Sequence, residues 1–204
     1  LRLLFKNKDY IIKYISICVL GFPVWYVNGV VMTFTPEIAK AWGMNPMPSV
    51  SAVFTYYFIG LTFGDLTGGF VSQLLKSRKK AILLYLSMYA IGAIVFFVVG
   101  NKSLELYYGL LLFLGFCVGY SIVLLTLAAE QYGTNIRATV TTSSLNILRA
   151  TVIPQTLLFG FLNPYIGTVN SAMVVGVVAI LLAFWGLRNL EETFHKDLNY
   201  MEEL

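Results

Sequence analysis

Charge is what this sequence has least of. Of its 204 residues 12% are charged and 58% are hydrophobic, with a mean hydropathy of +0.76, whereas a soluble domain carries about 25% charged residues. That much polar material cannot cover a water-soluble core of this size, so a soluble globular domain is excluded. A disordered chain, a collagen and a disulfide-stapled secreted module are excluded by the same figures. Cysteine is scarce too: Cys18 and Cys117 lie far apart, each inside an apolar run, and read as small buried hydrophobes. Histidine is scarcer still. His195, in the polar C-terminal stretch, is the only one, so neither a histidine metal cluster nor a Ser-His catalytic pair can be assembled within a membrane. We therefore expect no metal, no cofactor and no enzyme. The net charge of +4 is spread thinly, unlike the clustered basic face of a nucleic-acid binder. The residues after Leu1 (Arg2, Lys6, Lys8, Asp9, Lys13) lack a signal-peptide layout, and the start reads as a cut or processed end.

What is present is a series of long apolar runs. Residues 11–34, 49–75, 81–100, 104–128, 138–162 and 169–187 each suffice to cross a bilayer as a helix, which takes about 20 residues. The runs are continuous rather than ten-residue alternations, which favours helices over a barrel. The expected fold is an all-α, polytopic membrane protein, one six-helix bundle over residues 1–204 with a short tail at 188–204. In that tail Leu190, Phe194, Leu198 and Met201 recur at helical spacing, predicting a short helix in solvent or along the membrane surface. Arg2, Lys6, Lys8, Lys13, Lys76, Arg78, Lys79, Lys80, Arg137, Arg188 and Lys196 fall on one side, against Lys40 and Lys102 on the other. By the positive-inside rule both termini are cytoplasmic. A multi-pass protein of the cell membrane is expected, in a bacterial inner membrane.

The first and fourth runs share a phrase: residues 21–26, GFPVWY, and 115–120, GFCVGY, match at G-F-x-V-x-Y. Glu37, Gly43 and Asn45 have counterparts in Glu130, Gly133 and Asn135, with one shift of spacing. A duplicated three-helix unit inserts its second copy upside down, predicting a 3+3 inverted repeat with a binding site near the midplane.

Two charges fall inside runs. Asp65 precedes Lys76 by 11 residues and Arg149 follows Arg137 by 12, depths of about 16 and 18 Å at roughly 1.5 Å per residue. An isolated charge at mid-bilayer costs about 2.5–3.5 kcal/mol, so both must face protein or a watery cavity. Either they form a static pair that fixes packing, or they serve a solute and a coupling ion. Thr142, Asn146, Arg149 and Thr156 make a polar stripe on the fifth run, and Trp25, Asn28 and Met32 one on the first. Tyr57, Asp65 and Ser72 share a face of the second run; Tyr56, Tyr120 and Gln155 are weaker cavity residues. Gly60, Gly64, Gly68 and Ser72 make three small-xxx-small steps that invite a close helix partner. Pro23 and Pro154 each remove a helical hydrogen bond within a run.

Three segments resemble the C-terminal six-helix half of a major facilitator superfamily transporter. Residues 68–80, GGFVSQLLKSRKK, are similar to the loop signature G-x-L-a-D-R-x-G-R-(R/K), with neutral Gln73 where its Asp stands and one extra residue before Arg78. Residues 129–139, AEQYGTNIRAT, are similar to the A-E-x-(x)-P-T-x-x-R pattern after the tenth helix, with Gly133 in place of proline. Residues 192–198, ETFHKDL, resemble the E-T-x-g-k-x-L tail. The resemblance implies a secondary active transporter moving a small polar solute by alternating access, with proton coupling expected. Its first, second, fourth and fifth helices would face the cavity. A second six-helix half, on the same longer polypeptide or a partner chain, would complete it, and the lipid bilayer would surround it. In that scheme Asp65 takes the coupling proton or cation, since burial favours its neutral form and a nearby Arg149 its charged form. Arg149, Asn146, Thr142, Gln155, Asn28, Trp25, Tyr57 and Tyr120 face the solute, and Glu130, Arg137, Arg78 and Lys79 form a cytoplasmic gate. The competing expectation is a non-transporting, transporter-like protein that binds a ligand or scaffolds partners.

Overall fold

A computed structural model describes residues 8–196 and 201, and the described residues contain helices and no strand. The helices join end to end into six rods. The first combines α1 (Lys8–Leu20), α2 (Phe22–Tyr26) and a π-helical segment (Val27–Met32). After a short α3 (Thr35–Ala41), α4 (Val50–Leu74) and α5 (Arg78–Val99) are unbroken rods. The fourth is α6 (Leu104–Val118) with α7 (Tyr120–Glu130), the fifth α8 (Thr134–Ala150) with α9 (Val152–Ile166), and the last α10 (Thr168–Asn189).

Among the described residues five rods are long and apolar enough to cross a membrane: Lys8–Met32, Arg78–Val99, Leu104–Glu130, Thr134–Ile166 and Thr168–Asn189. α4 matches them in length, at 25 residues, but Asp65, its glycines and its threonines dilute its apolar content. Its outward face is nonetheless as greasy as its neighbours': Phe63, Leu66 and Phe70 of α4, Ile94 and Val98 of α5 and Leu181 of α10 are all more than 60% exposed. A band of bare side chains this large belongs in lipid rather than water. The chain is an all-α polytopic membrane protein.

Local chemistry explains where rods start and break. Ser49, Ser77 and Ser103 each accept a backbone N–H three residues on, from Ala52, Lys80 and Leu106 at 3.3, 3.1 and 3.1 Å, so hydroxyls cap α4, α5 and α6. Pro23 has no N–H to give, and the first rod breaks beside it at Gly21. The fifth rod breaks at Thr151, three residues before Pro154, and the fourth at Gly119.

α4 and the fourth rod touch backbone to backbone. A Cβ on Gly60 would stand 1.9 Å from the Leu112 carbonyl oxygen, one on Gly64 2.2 Å from that of Phe116, and one on Gly68 2.6 Å from that of Gly119. The fourth rod answers in kind, with Gly115 and Gly119 held equally close to Tyr57 and Gly64. The small-residue stripe of α4 is this seam.

Between the first two runs Pro36 and Glu37 open α3, whose Ile38 and Ala39 are fully buried, an element not expected from the sequence. One expectation is corrected. The tail is not a helix where it is described: α10 stops at Asn189 and residues 190–196 fold back across the bundle end, with Leu190 and Thr193 buried. The reason is competition for backbone, because Glu192 accepts the N–H groups of Arg78 and Lys79 at 2.9 and 3.2 Å and those of Thr193 and Phe194 at 3.0 and 3.1 Å. Arg2, Lys6 and Leu198 lie outside the described residues.

Candidate functional site

A cavity of about 220 Å³ opens where four rods meet. The first rod supplies Val24, Trp25 and Asn28 beside its break at Gly21, and α4 supplies Phe58 and Leu61. Ser121, Leu124 and Leu125 come from α7, and Leu145, Leu148 and Arg149 from α8. These are the first, second, fourth and fifth rods. The wall is mostly hydrocarbon, with three polar residues, Asn28, Ser121 and Arg149.

Each polar residue retains unused hydrogen-bonding capacity. Asn28 donates through Nδ2 to the Val24 carbonyl at 3.2 Å and to the Tyr57 hydroxyl at 3.4 Å. Its own carbonyl accepts from Thr33 Oγ1 at 2.8 Å, five residues on, as the wider π-helical turn requires. Its Oδ1 accepts nothing among the described residues. Ser121 Oγ donates to Asp65 Oδ1 at 2.8 Å, leaving its lone pairs to the cavity. Asp65 is half-buried behind it on α4. Arg149 is exposed, and its guanidinium has no hydrogen bond or ion pair among the described residues. The static Asp65–Arg149 pair is therefore not formed: Asp65 is held by Ser121 across the α4–α7 contact, while Arg149 stands open on α8.

The remaining cavity candidates divide into two groups. Thr142 and Asn146 are exposed on α8 on the face that carries Arg149, but do not line the cavity. Tyr57, Tyr120 and Gln155 are buried and bonded to backbone: Tyr57 to the Val24 carbonyl at 3.4 Å, Tyr120 to that of Leu20 at 2.9 Å and Gln155 to that of Phe22 at 3.3 Å. They brace the broken first rod from behind. Ser121 escaped sequence reasoning because one serine in an apolar run reads as ordinary packing; only the α4–α7 contact joins it to Asp65.

At one end of the bundle the gate residues converge. Arg78 donates to Glu130 through Nη2 at 3.0 Å and Nε at 3.3 Å, and through Nη1 to Ser72 Oγ at 2.9 Å. The two charged side chains are only 14% and 11% exposed. Thr193 Oγ1 adds a bond to Glu130 Oε2 at 2.5 Å, and the Phe194 ring covers the Arg78 guanidinium at 5.0 Å. Glu192 binds the Ser77 hydroxyl and Lys79 Nζ the Leu190 carbonyl. Lys13 pairs with Glu191 at 3.0 Å, and the Gln131 amide donates to the Glu191 carbonyl at 2.7 Å. Arg137 donates through Nε to the Tyr132 carbonyl at 3.2 Å. Arg78 is thus held by Ser72 and Glu130, a pairing not foreseen from Gln73.

Two tail carboxylates titrate below their ordinary range. Glu191 is held down by the hydrogen bond from Lys13. For Glu192, burial pushes the carboxyl up, but hydrogen bonds from Ser77 and from the backbone of Arg78, Phe194 and Lys79 outweigh it and leave it lowered.

The fold has a counterpart among solved structures. It is similar to the POT family transporter PepTSo, whose structure was determined in meso, with a TM-score of 0.66 at 16% identity. The alignment covers 91% of this chain and 38% of that one. No protein-family profile and no curated protein sequence matches the chain. Likeness at that identity is likeness of fold: the chain folds like part of a transporter.

Proposed function

We propose that this chain is one six-helix half of a secondary active transporter of the major facilitator type, with α4 as its sixth span. It moves a small polar solute by alternating access, coupled to a proton. The observation that carries this reading is the cavity where four rods meet, bordered by a guanidinium on α8 that is unpaired among the described residues and, through Ser121, a half-buried carboxylate on α4. Charges kept apart at mid-depth are costly unless they serve something mobile. The fold shared with a transporter supports the same reading.

In this mechanism Asp65 takes up and releases the proton, and Ser121 reports its state to the cavity, since the serine donates to the carboxylate but can accept from the protonated acid. Arg149 holds the solute. The Arg78–Glu130 pair closes the cytoplasmic end, and both termini lie on that side of a bacterial inner membrane. A second half, on the same longer polypeptide or on a partner, supplies the facing wall. The aligned Tyr26 and Tyr120 of the proposed inverted repeat are both fully buried and both donate to a backbone carbonyl in another rod.

The test is uptake into liposomes by the full-length protein. Asp65→Asn abolishes uptake driven by a pH gradient and spares solute exchange, which needs no net proton movement. Gradient-driven uptake at the wild-type rate would remove Asp65 from the mechanism. Solute binding with no flux in any condition would favour the ligand-binding or scaffold reading.

A further inference from the structure

We infer that the solute is a small organic monoanion with an apolar body, a carboxylate carried on an aromatic or branched hydrocarbon frame. This inference rests on the transporter reading and names its substrate class. The cavity wall carries one formal charge, the Arg149 guanidinium, and no acidic side chain. Asp65 reaches the cavity only through the Ser121 hydroxyl, so a cationic solute would meet Arg149 with no anion lining the wall to offset it. A guanidinium presents paired N–H donors that match a carboxylate in two-point geometry. Its donors are unused among the described residues, so anion binding breaks no existing bond.

The rest of this half's wall is poorly suited to a sugar-like solute. A polyol needs a partner for each hydroxyl it buries, and a buried hydroxyl left unpaired costs about 1–3 kcal/mol. Here Asn28 Oδ1, the Ser121 hydroxyl and the Trp25 indole N–H are the other side-chain polar groups of this wall, against Phe58, Leu124, Leu145 and Leu148. Indole and phenyl surfaces with leucine around them fit a flat hydrocarbon body. This half's share of the cavity is about 220 Å³, room for an aromatic ring and its carboxylate.

Benzoate is the probe. In liposomes containing the full-length protein, labelled benzoate enters saturably, and excess unlabelled benzoate competes while benzylamine, benzyl alcohol and glucose do not. Arg149→Gln raises the benzoate KM about 10–100-fold, the loss expected for one charge-assisted pair, and Arg149→Lys recovers part of it. Trp25→Ala weakens benzoate and leaves acetate, which lacks the ring, unchanged. Entry of benzylamine or glucose with benzoate excluded overturns the substrate class and leaves transport standing. Arg149-dependent binding of benzoate without flux does the reverse. If Arg149→Gln moves benzoate at the wild-type KM, the inference fails, and a normal elution profile for that variant shows that folding was intact.

Discussion

At the scale of single residues, the glycines of α4 carry the sharpest packing demand. A Cβ on Gly64 would meet the Phe116 carbonyl at 2.2 Å, whereas one on Gly69 would meet nothing within 4 Å. Gly64→Ala should lower the detergent-solubilised melting temperature, because overpacking costs about 1–3 kcal/mol even where side chains can yield and here only backbone is available to move. Gly69→Ala, on the same helix, should melt at or slightly above the wild type, since alanine is the better helix former and its Cβ meets nothing within 4 Å; equal losses at both positions would show that the seam is not what is being measured. The spacing of small residues made this seam legible in the sequence, because periodicity places side chains on a face. Periodicity does not say which partner that face meets, and so the contact that joins Ser121 to Asp65 was not legible. Trp25, Asn28 and Arg149 line the cavity while Tyr57, Tyr120 and Gln155 do not, although the same signal pointed to all six: polar groups in apolar runs advertise a need for partners, and a buried backbone carbonyl at a helix break satisfies that need as well as a cavity does.

At the scale of elements, the closed end of the bundle is a lock of three segments: the α4–α5 turn, the end of α7 and the folded-back tail. Removing one partner of a buried ion pair costs about 3–5 kcal/mol, so Arg78→Gln or Glu130→Gln should lower thermal stability clearly. The double exchange Arg78→Glu with Glu130→Arg should recover part of the loss in a melting assay. The lock also responds to acid. Glu192 titrates below its ordinary range in the folded chain, so its contribution is fully present above the unfolded carboxylate value of about 4.3 and is lost as pH falls through its lowered folded value. Melting curves between pH 7 and pH 3 should therefore show a fall at the acid end that is smaller in Glu192→Gln. The three motifs that meet here were each recognisable as strings. What sequence reasoning lacked was the tail's conformation: its apolar spacing suggested a helix, but hydrogen bonds from its neighbours to Glu192 hold it in an irregular fold-back with a turn at residues 194–195.

For the whole molecule, charge asymmetry predicts orientation. Lys13, Arg78 and Lys79 meet at one end through Glu191, Glu130 and the Leu190 carbonyl, as their common assignment to one side requires. In inverted or right-side-out vesicles of the full-length protein, a cysteine at Lys102 should react with an impermeant maleimide from outside, and one at Lys196 from the cytoplasm. The native Cys18 and Cys117 are both buried, which keeps the background low. Labelling at Lys102 from the cytoplasm and at Lys196 from outside would reverse the topology, and labelling of both from one side would overturn the span count. The run lengths made the rods legible, while α3 was hidden because a short helix buried by its neighbours has no periodic signal of its own.

The glycine contact also determines which parts can move. Held backbone to backbone and tied further by the Ser121–Asp65 hydrogen bond, α4 and the fourth rod would turn as one welded beam in the proposed carrier. Its rocking would then bend elsewhere, at the interruptions at Gly21 and Thr151, in the two rods that bring Trp25 and Arg149 to the cavity. The beam would be the fulcrum, with Asp65 seated on it, and Trp25 and Arg149 would ride on the hinged arms.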